Sequence, residues 1–536
     1  MTAGPAGSHL ADAIVIGAGP NGLVAANVLA DAGWDVVVIE AAPEPGGAVR
    51  TGEITAPGFR NDLFSAFYPL GAASPVLRDL ALDDHGLQWT HAPSVLAHPL
   101  PDAPAAVLHR DLERTCASLA AGHAGDADAY RAVIEQYRRV SPAMIDLLLR
   151  PFPPVRAALR VAARARIDGG RDLIRLALVP LRRYVEERFA GEQATMLLAG
   201  MALHADLTPE TAGSALFGWL LTGLGQDVGF PVPVGGAGQL TRSLVTRLER
   251  AGGEVRCGRA VERVLIRHGR AVGVRTADGV EHVARRAVLA DTEATRLYVD
   301  LVGVEHLPSR TVQRLPAIQR GAGTVKVDWA LSSPVPWADP SVHGAGTVHL
   351  AASLDELTVT ASELSRRLVP RDPFVLVGQM TTADPSRSPA GTESLWAYTH
   401  VPQEVRGDAG ATEGSSVRGI WDDDDRDLMA ARIEDRIEAV APGFRERVIA
   451  RQVTTPSTMQ ATNANLVGGD IGGGTAQLHQ QLVFRPIPGW GRPETPVPGL
   501  YLASASAHPG GGVHGACGAN AARAAIAHHR LRLGRR

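Results

Sequence analysis

Cysteine is scarce in this chain of 536 residues, which contains only Cys116, Cys257 and Cys517. The three lie far apart, and no two have the Cys-x-x-Cys spacing of a redox-active dithiol. This absence argues against the chemistry of disulfide reductases and makes a reducing compartment the default. The sequence therefore predicts a cytoplasmic protein.

Long apolar runs, a basic leader and an excess of positive charge are also missing. No uninterrupted apolar segment reaches the roughly 20 residues that a membrane-spanning helix requires, and the first ten residues do not resemble a secretory signal. The formal net charge is −3 and the pI is about 6.7, so nothing suggests the positive field of a nucleic-acid-binding protein. We expect no nucleic-acid partner and no metal site.

What the chain does contain is the composition of an ordinary globular protein, with 45% hydrophobic and 20% charged residues. Its length suffices for two domains or one elaborate domain. The clearest motif is near the start, where the apolar run Ala13–Ile16 ends in a glycine-rich turn. A helix of small residues, Leu23–Ala30, and a second apolar run, Val36–Ile39, follow. This order predicts a dinucleotide-binding βαβ unit.

Each glycine of that turn has a physical role in such a unit. The first permits the tight turn, the second lets the backbone approach a pyrophosphate, and the third lets helix and strand pack closely. The helix N-terminus presents free N–H groups to the phosphates. Glu40 comes eighteen positions after Gly22, where a carboxylate can accept both ribose hydroxyls of FAD or NAD but would repel NADP. The predicted nucleotide contacts are Gly17, Gly19, Pro20, Asn21, Gly22 and Glu40.

Directly after this acid come Gly46, Gly47 and Arg50. A second glycine pair with an arginine is more than a nicotinamide site needs. Here the sequence resembles the FAD-dependent phytoene desaturase and amine oxidase superfamily, whose members carry a Gly-Gly…Arg segment at this place. The resemblance implies that these three residues line the FAD diphosphate and the flavin edge. A surface ion pair of Arg50 with Glu44 or Glu53 is the alternative.

Apolar positions recur at helical spacing from about residue 130 to 224, which predicts a helical insertion. Its arginines between residues 150 and 190 suit a basic amphipathic surface that settles on anionic lipid. A solvated helix face with local acidic partners is the alternative. Thr208 before Pro209 predicts the start of another helix. The arginines are Arg150, Arg156, Arg160, Arg164, Arg166, Arg171, Arg175, Arg182 and Arg183.

Two later stretches strengthen the resemblance. The first begins with a glycine turn at residues 235–238 and continues through a helix and alternating strands to Asp291. The resemblance implies that the chain returns here to the FAD domain and that Val261 brackets the adenine through its backbone. In the second, three glycines precede a helix of small residues whose N-terminus would face the flavin edge where negative charge develops. This motif resembles bacterial-type phytoene desaturases, and most closely the branch of pyridine nucleotide-disulfide oxidoreductase domain-containing protein 2. The implied cofactor contacts there are Ser504, Gly511, Gly512, Val513 and His514.

Four histidines are the catalytic candidates, because a flavin takes the hydride itself and the protein need only hold the substrate or move a proton. His508 and His514 flank the glycine triplet, and His204 and His400 would come from the substrate domain. The alternatives are a strand-end cap for His508, phosphate or water contact for His514 and a core position for His204. For Cys517 we predict a packing role rather than a flavin bond.

Together these patterns predict an α/β fold with a discontinuous Rossmann-like FAD-binding domain and a mixed α+β substrate domain with a helical lid. Residues 1–75, 230–300 and 455–536 would form the first domain, and residues 76–229 and 301–454 the second. The resemblance implies an FAD-dependent dehydrogenase, desaturase or isomerase that acts on a lipophilic, polyene- or lipid-like substrate, with oxygen or a quinone reoxidising the flavin. An amine oxidase-type flavoenzyme and an FAD-binding interaction protein without turnover are the alternatives.

Overall fold

The structure is a computed structural model that describes residues 9–533. Residues 1–8 and 534–536, which the sequence assigned to the first domain, lie outside the described residues. The side chain of Arg166 lies outside them as well. The strands of the described part are β1 (His9–Ile16), β2 (Val36–Ile39), β3 (Thr51–Gly52), β4 (Asn61–Asp62), β5 (Trp89–Thr90), β6 (Ser94–His98), β7 (Ala106–Leu108), β8 (Val232–Pro233), β9 (Glu254–Arg256), β10 (Val261–Arg267), β11 (Arg270–Thr276), β12 (Glu281–Ala290), β13 (Gly323–Leu331), β14 (Ala345–Leu350), β15 (Leu368–Val369), β16 (Val375–Gln379), β17 (Glu393–Val401), β18 (Gly407–Asp408), β19 (Val448–Thr454) and β20 (Leu500–Leu502).

The α-helices connect and cover these strands. They are α1 (Pro20–Asp31), α2 (Pro69–Ala73), α3 (Pro75–Asp79), α4 (Leu112–Ala120), α5 (Asp126–Leu149), α6 (Val155–Leu176), α7 (Leu181–Glu186), α8 (Glu192–His204), α9 (Ser214–Asp227), α10 (Gly238–Arg250), α11 (Ser309–Val312), α12 (Leu354–Ser365), α13 (Met380–Ala383), α14 (Asp423–Glu438), α15 (Pro456–Thr462) and α16 (Ala516–Leu533).

The first sheet joins parallel strands from three distant parts of the chain. Strands β9, β2, β1 and β12 lie side by side, and β20 joins the carboxyl half of β12. Ile16 lies beside Ile39 and Ala290, and Ala290 lies beside Leu502. The carboxyl ends of the strands therefore meet at one edge, where α/β sheets bind ligands. Strands β10 and β11 extend the sheet antiparallel from the amino half of β12.

This sheet is buried on both faces, as a parallel sheet must be. Ala13 and Val15 pack with α1, α10 and α16, whereas Ile14 and Ile16 pack with the segment around Leu297. The alternation follows from the two-residue period of a strand. The predicted fold class, a discontinuous Rossmann-like α/β unit with a second mixed unit, is confirmed.

The second sheet has the order β19-β13-β17-β16-β14-β6-β7, with β14 and β6 parallel and the other pairs antiparallel. One face packs on α14 through residues such as Trp329 and Ile433. The other face, with Leu376 and Trp396, packs on the helical layer α4–α9. The side chains of Trp396 and Tyr398 on β17 therefore lie between the sheet and the helices.

The helical layer begins with Leu112 and ends with Asp227, which brackets the helical stretch that the sequence predicted. Tyr137 and Trp219 pack edge to face at its centre, with ring centroids 5.2 Å apart. The predicted helix start at Thr208 is wrong. The Thr208 hydroxyl lies 2.7 Å from the hydroxyl of Thr211, and α9 begins only at Ser214. Across residues 9–533, no helix combines the length and the apolarity needed to cross a bilayer.

Candidate functional site

The turn after β1 has the tight geometry expected of a nucleotide loop. The N–H of Gly17 donates to the carbonyl of Ile39 at 2.8 Å, which ties the turn to β2. A methyl group on Gly22 would lie 2.1 Å from the Gly17 carbonyl oxygen, so only glycine fits there. Helix α1 begins after Gly19 without a side-chain cap, and Pro20 occupies its first turn. Because Pro20 has no N–H and the N–H of Gly22 is taken by Asp291, only part of the usual amide set of a helix N-terminus remains for an anion.

Glu40 is held at the edge of the same loop. Its Oε2 accepts from the N–H of Ala18 at 2.6 Å and its Oε1 accepts from the N–H of Ala42 at 2.8 Å. Each oxygen retains a second lone pair, because a carboxylate oxygen accepts two hydrogen bonds. The carboxylate is thus oriented for a ribose hydroxyl pair.

The second glycine pair packs directly on the first turn. Gly46 donates its N–H to the Ala18 carbonyl at 2.8 Å, and a methyl group on Gly47 would lie 3.1 Å from the Cα of Gly19. Arg50 donates from Nε to the Gly47 carbonyl at 3.0 Å, and its guanidinium lies 5.7 Å from the ring centre of Phe64. Arg50 thus braces the second glycine turn.

The C-terminal glycine segment reaches the same place. A methyl group on Gly518 would lie 1.9 Å from the Asn21 carbonyl oxygen, so α16 and α1 touch backbone to backbone at their N-terminal ends. Val513, three residues ahead of α16, has a φ of 48°. This is a genuine outlier for a β-branched residue, and such strain is concentrated at functional sites. The three glycine segments that the sequence singled out therefore converge.

A further glycine loop at residues 472–474 supports the C-terminal one. A methyl group on Gly511 would lie 3.0 Å from the Gly472 carbonyl oxygen. Asp470 accepts from the N–H groups of Gly472 and Gly474, both at 2.8 Å. The buried Arg485 donates to carbonyl groups at both loops. These carbonyls belong to Gly472, Gly473, Thr475 and Ala505.

Two further predicted contacts lie on the borders of this region. Ser504 follows β20 and is buried, and its hydroxyl accepts from the N–H of Ser506 at 3.2 Å. Val261 opens β10 and pairs with Thr276. The roles predicted for these residues with the cofactor stay predictions.

The histidines beside the glycine triplet are buried. The ring of His508 lies 2.9 Å from the Arg150 carbonyl through Nε2, and Nδ1 of His514 accepts the N–H of Ala516 at 3.0 Å. Burial lowers the pKa of each to about 4. Both rings are therefore neutral at physiological pH, and each is engaged by backbone.

The two histidines predicted from the substrate domain differ from each other. His204 is half-buried and lies edge to face with Phe230 and His349, and the burial of its ring lowers its pKa to about 4. His400 lies on β17 with Nε2 2.7 Å from Oδ1 of Asp206. Burial, the largest single influence, acts to lower the pKa of His400, but the charge and hydrogen bond of Asp206, the Gly323 carbonyl and the Asp470 charge together raise the net pKa.

The sequence did not predict a role for Asp291 at the nucleotide loop. Its Oδ2 accepts the N–H of Gly22 at 2.9 Å, and Asn465 donates to its carbonyl at 2.9 Å. Burial raises the pKa of Asp291 to about 7, with a smaller contribution from the charge of Glu40. An acid at the end of the predicted strand was visible in the sequence, but its contact with α1 was not.

A buried charge cluster between β4 and β13 was also missed. Lys326 lies 2.5 Å from Asp328 and donates to the Asp62 carbonyl at 3.1 Å. Arg387 lies 2.7 Å from the Asp62 carboxylate, and both side chains are fully enclosed. The Asp62 carboxylate also accepts the Ala237 N–H at 2.8 Å, so it links the turn before α10 to β4. Lys326 and Asp328 share one face of β13, a signal that the two-residue period of a strand could have revealed.

The residues at the loop fit a dinucleotide. Two buried oxygens next to the N-terminus of α1, Oδ1 of Asn21 and Oγ1 of Thr292, have no hydrogen-bond partner within the described chain. Unpaired buried polar atoms are costly and call for a partner. The Thr292 hydroxyl could donate to a diphosphate oxygen, and Oδ1 of Asn21 could accept from a hydroxyl of the cofactor, while the carboxylate of Glu40 is oriented for a ribose.

Residues 21–526 match the flavin containing amine oxidoreductase family. The chain belongs to this family. The match spans all three glycine segments from Asn21 onward, so the convergence seen in the structure is that of a flavoprotein, and FAD is the cofactor. The chain is therefore an oxidoreductase of the flavin-dependent kind.

Several relatives span nearly the whole chain. Pyridine nucleotide-disulfide oxidoreductase domain-containing protein 2 of Mus musculus is 30% identical over 95% of this chain and 92% of its own length. A limonene dehydrogenase polypeptide of Castellaniella defragrans is 25% identical over 96% and 94%. The phytoene desaturase of Rhodobacter capsulatus is 23% identical over 94% and 91%. The resemblance inferred from the motifs is thereby confirmed.

Among solved structures, a putrescine oxidase bound to putrescine superposes with a TM-score of 0.61. It is 17% identical and covers 98% of this chain and all of its own, at 100%. At that identity the likeness establishes a shared fold and no more.

Proposed function

We propose that this oxidoreductase is a dehydrogenase, desaturase or isomerase for a lipophilic, polyene- or lipid-like substrate. The observation that carries the proposal is a row of rings between the second sheet and the helical layer. Trp396 and Tyr398 stack with centroids 5.8 Å apart, and Phe67 lies 6.1 Å from Trp396. Tyr398 in turn lies 5.5 Å from His400. An apolar substrate chain that lay along these rings would be stabilised by burial.

The row ends close to the glycine loops. His400 contacts Asp206, and Asp206 approaches Gly472, which packs on Gly511. An apolar substrate aligned on the rings would thus extend towards the cofactor end of the site. The relatives named for limonene dehydrogenation and phytoene desaturation support the same class of substrate.

The cofactor and the protein have separate roles in the proposed reaction. Bound FAD supplies the redox step by accepting a hydride at N5. The chain holds the diphosphate at the turn between Gly17 and Gly22, holds the ribose at Glu40, and orients the substrate along the rings. Enclosure by the helical layer keeps water from the reacting carbon atoms. Oxygen or a quinone is the proposed final acceptor.

An amine oxidase-type reaction is the second candidate. The fold shared with putrescine oxidase and the stacked pair Trp396 and Tyr398 favour it, because paired rings suit an amine substrate. An FAD-binding protein that acts through a partner without turnover is the third.

Anaerobic bleaching of the flavin distinguishes the three. The FAD-loaded protein is mixed with limonene or phytoene as lipophilic probes, and with putrescine or cyclohexylamine as amine probes. Loss of the flavin absorbance with the alkenes alone is the expected result. Bleaching by the amines alone would establish the second candidate, and bleaching by none would favour the third.

We also propose that α6 rests on an anionic lipid surface. Its ends and the turn that follows expose large apolar side chains, which is unusual for a solvated helix. Among the described residues, Arg156, Arg164 and Arg171 have no carboxylate partner, whereas Arg160 pairs with Asp146 and Arg175 with Glu187. Exposed apolar side chains, together with guanidinium groups that have no carboxylate partner, suit a layer of anionic lipid headgroups. The exposed apolar residues are Val155, Leu159, Ile174 and Leu178.

A further inference from the structure

Asp206 occupies a backbone position that normally belongs to glycine. It follows the last turn of α8 with a φ of 60°. Its N–H donates to the Leu203 carbonyl at 2.9 Å, and the N–H of Leu207 donates to the Ala202 carbonyl at 3.0 Å. These two bonds form a Schellman motif, in which the left-handed residue is usually glycine. An aspartate there is strained, and such strain persists where the side chain is needed.

The side chain has a specific partner on the second sheet. Oδ1 of Asp206 lies 2.7 Å from Nε2 of His400, and Nδ1 of His400 lies 3.4 Å from the Gly323 carbonyl oxygen. Both ring nitrogens thus face acceptors, which favours the imidazolium form. The two side chains form an ion pair that fixes the carboxylate in one orientation.

The second oxygen of the carboxylate faces the cofactor end of the site. A methyl group on Gly472 would lie 3.8 Å from Oδ2, and one on Gly511 would lie 3.0 Å from the Gly472 carbonyl oxygen. The Asp206 side chain is 25% exposed, so Oδ2 is accessible. The other titratable groups that act on this pair are His204, Tyr398 and Asp470. With Tyr398 among them, the end of the aromatic row lies beside the carboxylate.

We propose that Asp206 is the catalytic base of this oxidoreductase and that His400 is its positioning residue. The proposal rests on the proposed function, in which a lipophilic substrate gains a double bond. One C–H bond breaks and its electron pair leaves with the hydride to FAD. The adjacent C–H bond breaks, its electrons form the new C=C bond, and its proton passes to Oδ2 of Asp206.

A carboxylate paired with an imidazolium is a weak base, but this step needs no stronger one. Once the hydride has left, the carbon is cationic and the neighbouring C–H bond is strongly acidic. The negative charge of Asp206 also stabilises that cation before it takes the proton. General base catalysis of this kind contributes about 10²–10⁴ in rate.

Because Asp206 has a left-handed backbone conformation, a glycine substitution can test the role of its side chain. Replacing Asp206 by glycine relieves the strain while removing the carboxylate, and Asp206→Asn keeps the shape without the charge. Arg367→Gly is the matched control, because Arg367 follows α12 with a φ of 64° and an exposed side chain. Each variant is loaded with FAD, and its flavin content, its melting temperature and its rate of anaerobic flavin reduction by limonene or phytoene are measured.

We expect D206G and D206N to reduce the flavin at least about 100-fold more slowly than the parent, because both variants lack the negative charge that stabilises the cation as the hydride leaves. Their flavin content should stay full, and the melting temperature of D206G should be no lower than that of the parent. R367G should reduce the flavin at the parental rate. The pKa of His400 is measured by NMR titration of its imidazole signals, which are assigned by their loss in H400Q. D206N should lower this pKa.

The outcomes separate the two proposals. A parent that neither alkene bleaches overturns the proposed function, and this inference with it. A parent that is bleached together with a D206G or D206N variant that retains its rate overturns the catalytic role of Asp206 alone. A loss of rate in proportion to lost flavin or lowered melting temperature also overturns it, because the role is then structural.

Discussion

The carboxylate of Asp291 accepts the N–H of Gly22 at 2.9 Å, so an acidic side chain lies at the helix end that we propose as the diphosphate site. Burial raises its pKa to about 7. Relative to an ordinary carboxyl group, the folded chain shifts Asp291 towards the protonated form, which avoids repulsion with a diphosphate. Cofactor binding at this loop is therefore linked to pH.

We predict that FAD affinity falls as the pH rises above about 7. The pKa of Asp291 in the folded protein lies above the ordinary value of 3.8. Its contribution to the stability of the fold is therefore fully present below about pH 4 and is lost as the pH rises through 7. A bound diphosphate raises the pKa further, so affinity falls by up to about tenfold per pH unit. Titration of FAD into apoprotein at pH 6 to 9 measures this. Asp291→Asn should flatten the profile, whereas the exposed-site control Asp83→Asn should not.

Glu40→Gln tests the ribose contact. The change removes the charge from an acceptor that binds the N–H groups of Ala18 and Ala42. Hydrogen bonds to charged groups contribute about 1.5–3 kcal/mol, so FAD should bind roughly tenfold to a hundredfold more weakly. Fluorescence titration with FAD gives the dissociation constant. Glu44→Gln, on an exposed residue nearby, is the control, and equal affinities for the two variants would contradict the assignment.

Gly518→Ala should separate the two helices that meet at the site. The added methyl would lie 1.9 Å from the Asn21 carbonyl oxygen, which forces α16 away from α1. We expect loss of flavin during gel filtration and a lower melting temperature. Gly170→Ala in α6 is the matched control, since no atom lies within 4 Å of its methyl. That variant should gain about 0.5–1 kcal/mol from helix propensity. Full flavin retention by G518A would show that the contact is dispensable.

Arg485→Lys should loosen the glycine loops. Lysine cannot reproduce the planar set of donors that Arg485 presents to the carbonyls of Gly472, Gly473 and Ala505. Buried acceptors left unpaired cost about 1–3 kcal/mol each, so the melting temperature should fall by several degrees. Arg267→Lys, in an exposed ion pair with Glu281, should change it little. A stable R485K with full flavin would argue that water replaces the guanidinium.

Liposome binding tests the lipid contact of α6. Replacing Leu159 and Ile174 by serine should reduce co-sedimentation with vesicles that contain phosphatidylserine, because both side chains are exposed by about two thirds, at 66% and 67%. Neutral phosphatidylcholine vesicles should bind less of the parent protein. A double serine variant at Val359 and Ile449, which are also exposed at 56% and 54%, is the control. Equal sedimentation of all variants would remove the proposal.

Local patterns made the nucleotide half of the site predictable. The turn between Gly17 and Gly22 and the acid at Glu40 belong to one continuous stretch, so spacing alone places them on strand, turn and helix. The glycine triplet was equally readable, because consecutive glycines ahead of small residues mark a close approach of backbone to a ligand. Their convergence was inferred from resemblance, and the backbone contact of Gly518 with Asn21 gives its physical basis.

The other half of the site depends on tertiary contacts that no local pattern encodes. Asp206 meets His400 only because the fold brings the turn after α8 next to the end of β17. The Thr208-Pro209 pair shows the limit of a local signal. It has the composition of a helix start, but in the structure it lies in the turn between α8 and α9. The Schellman motif at Asp206 sets the direction of the chain in that turn.

Lys326 is the one lysine in the 536 residues, and 3% of its side chain is exposed. A lysine-directed acylating reagent therefore finds no accessible side-chain amine while the chain is folded, since arginine supplies every other permanent cation. Acylation of Lys326 would therefore report opening of the second sheet at β13 as one discrete increase in mass, so this single lysine can serve as a reporter of local unfolding.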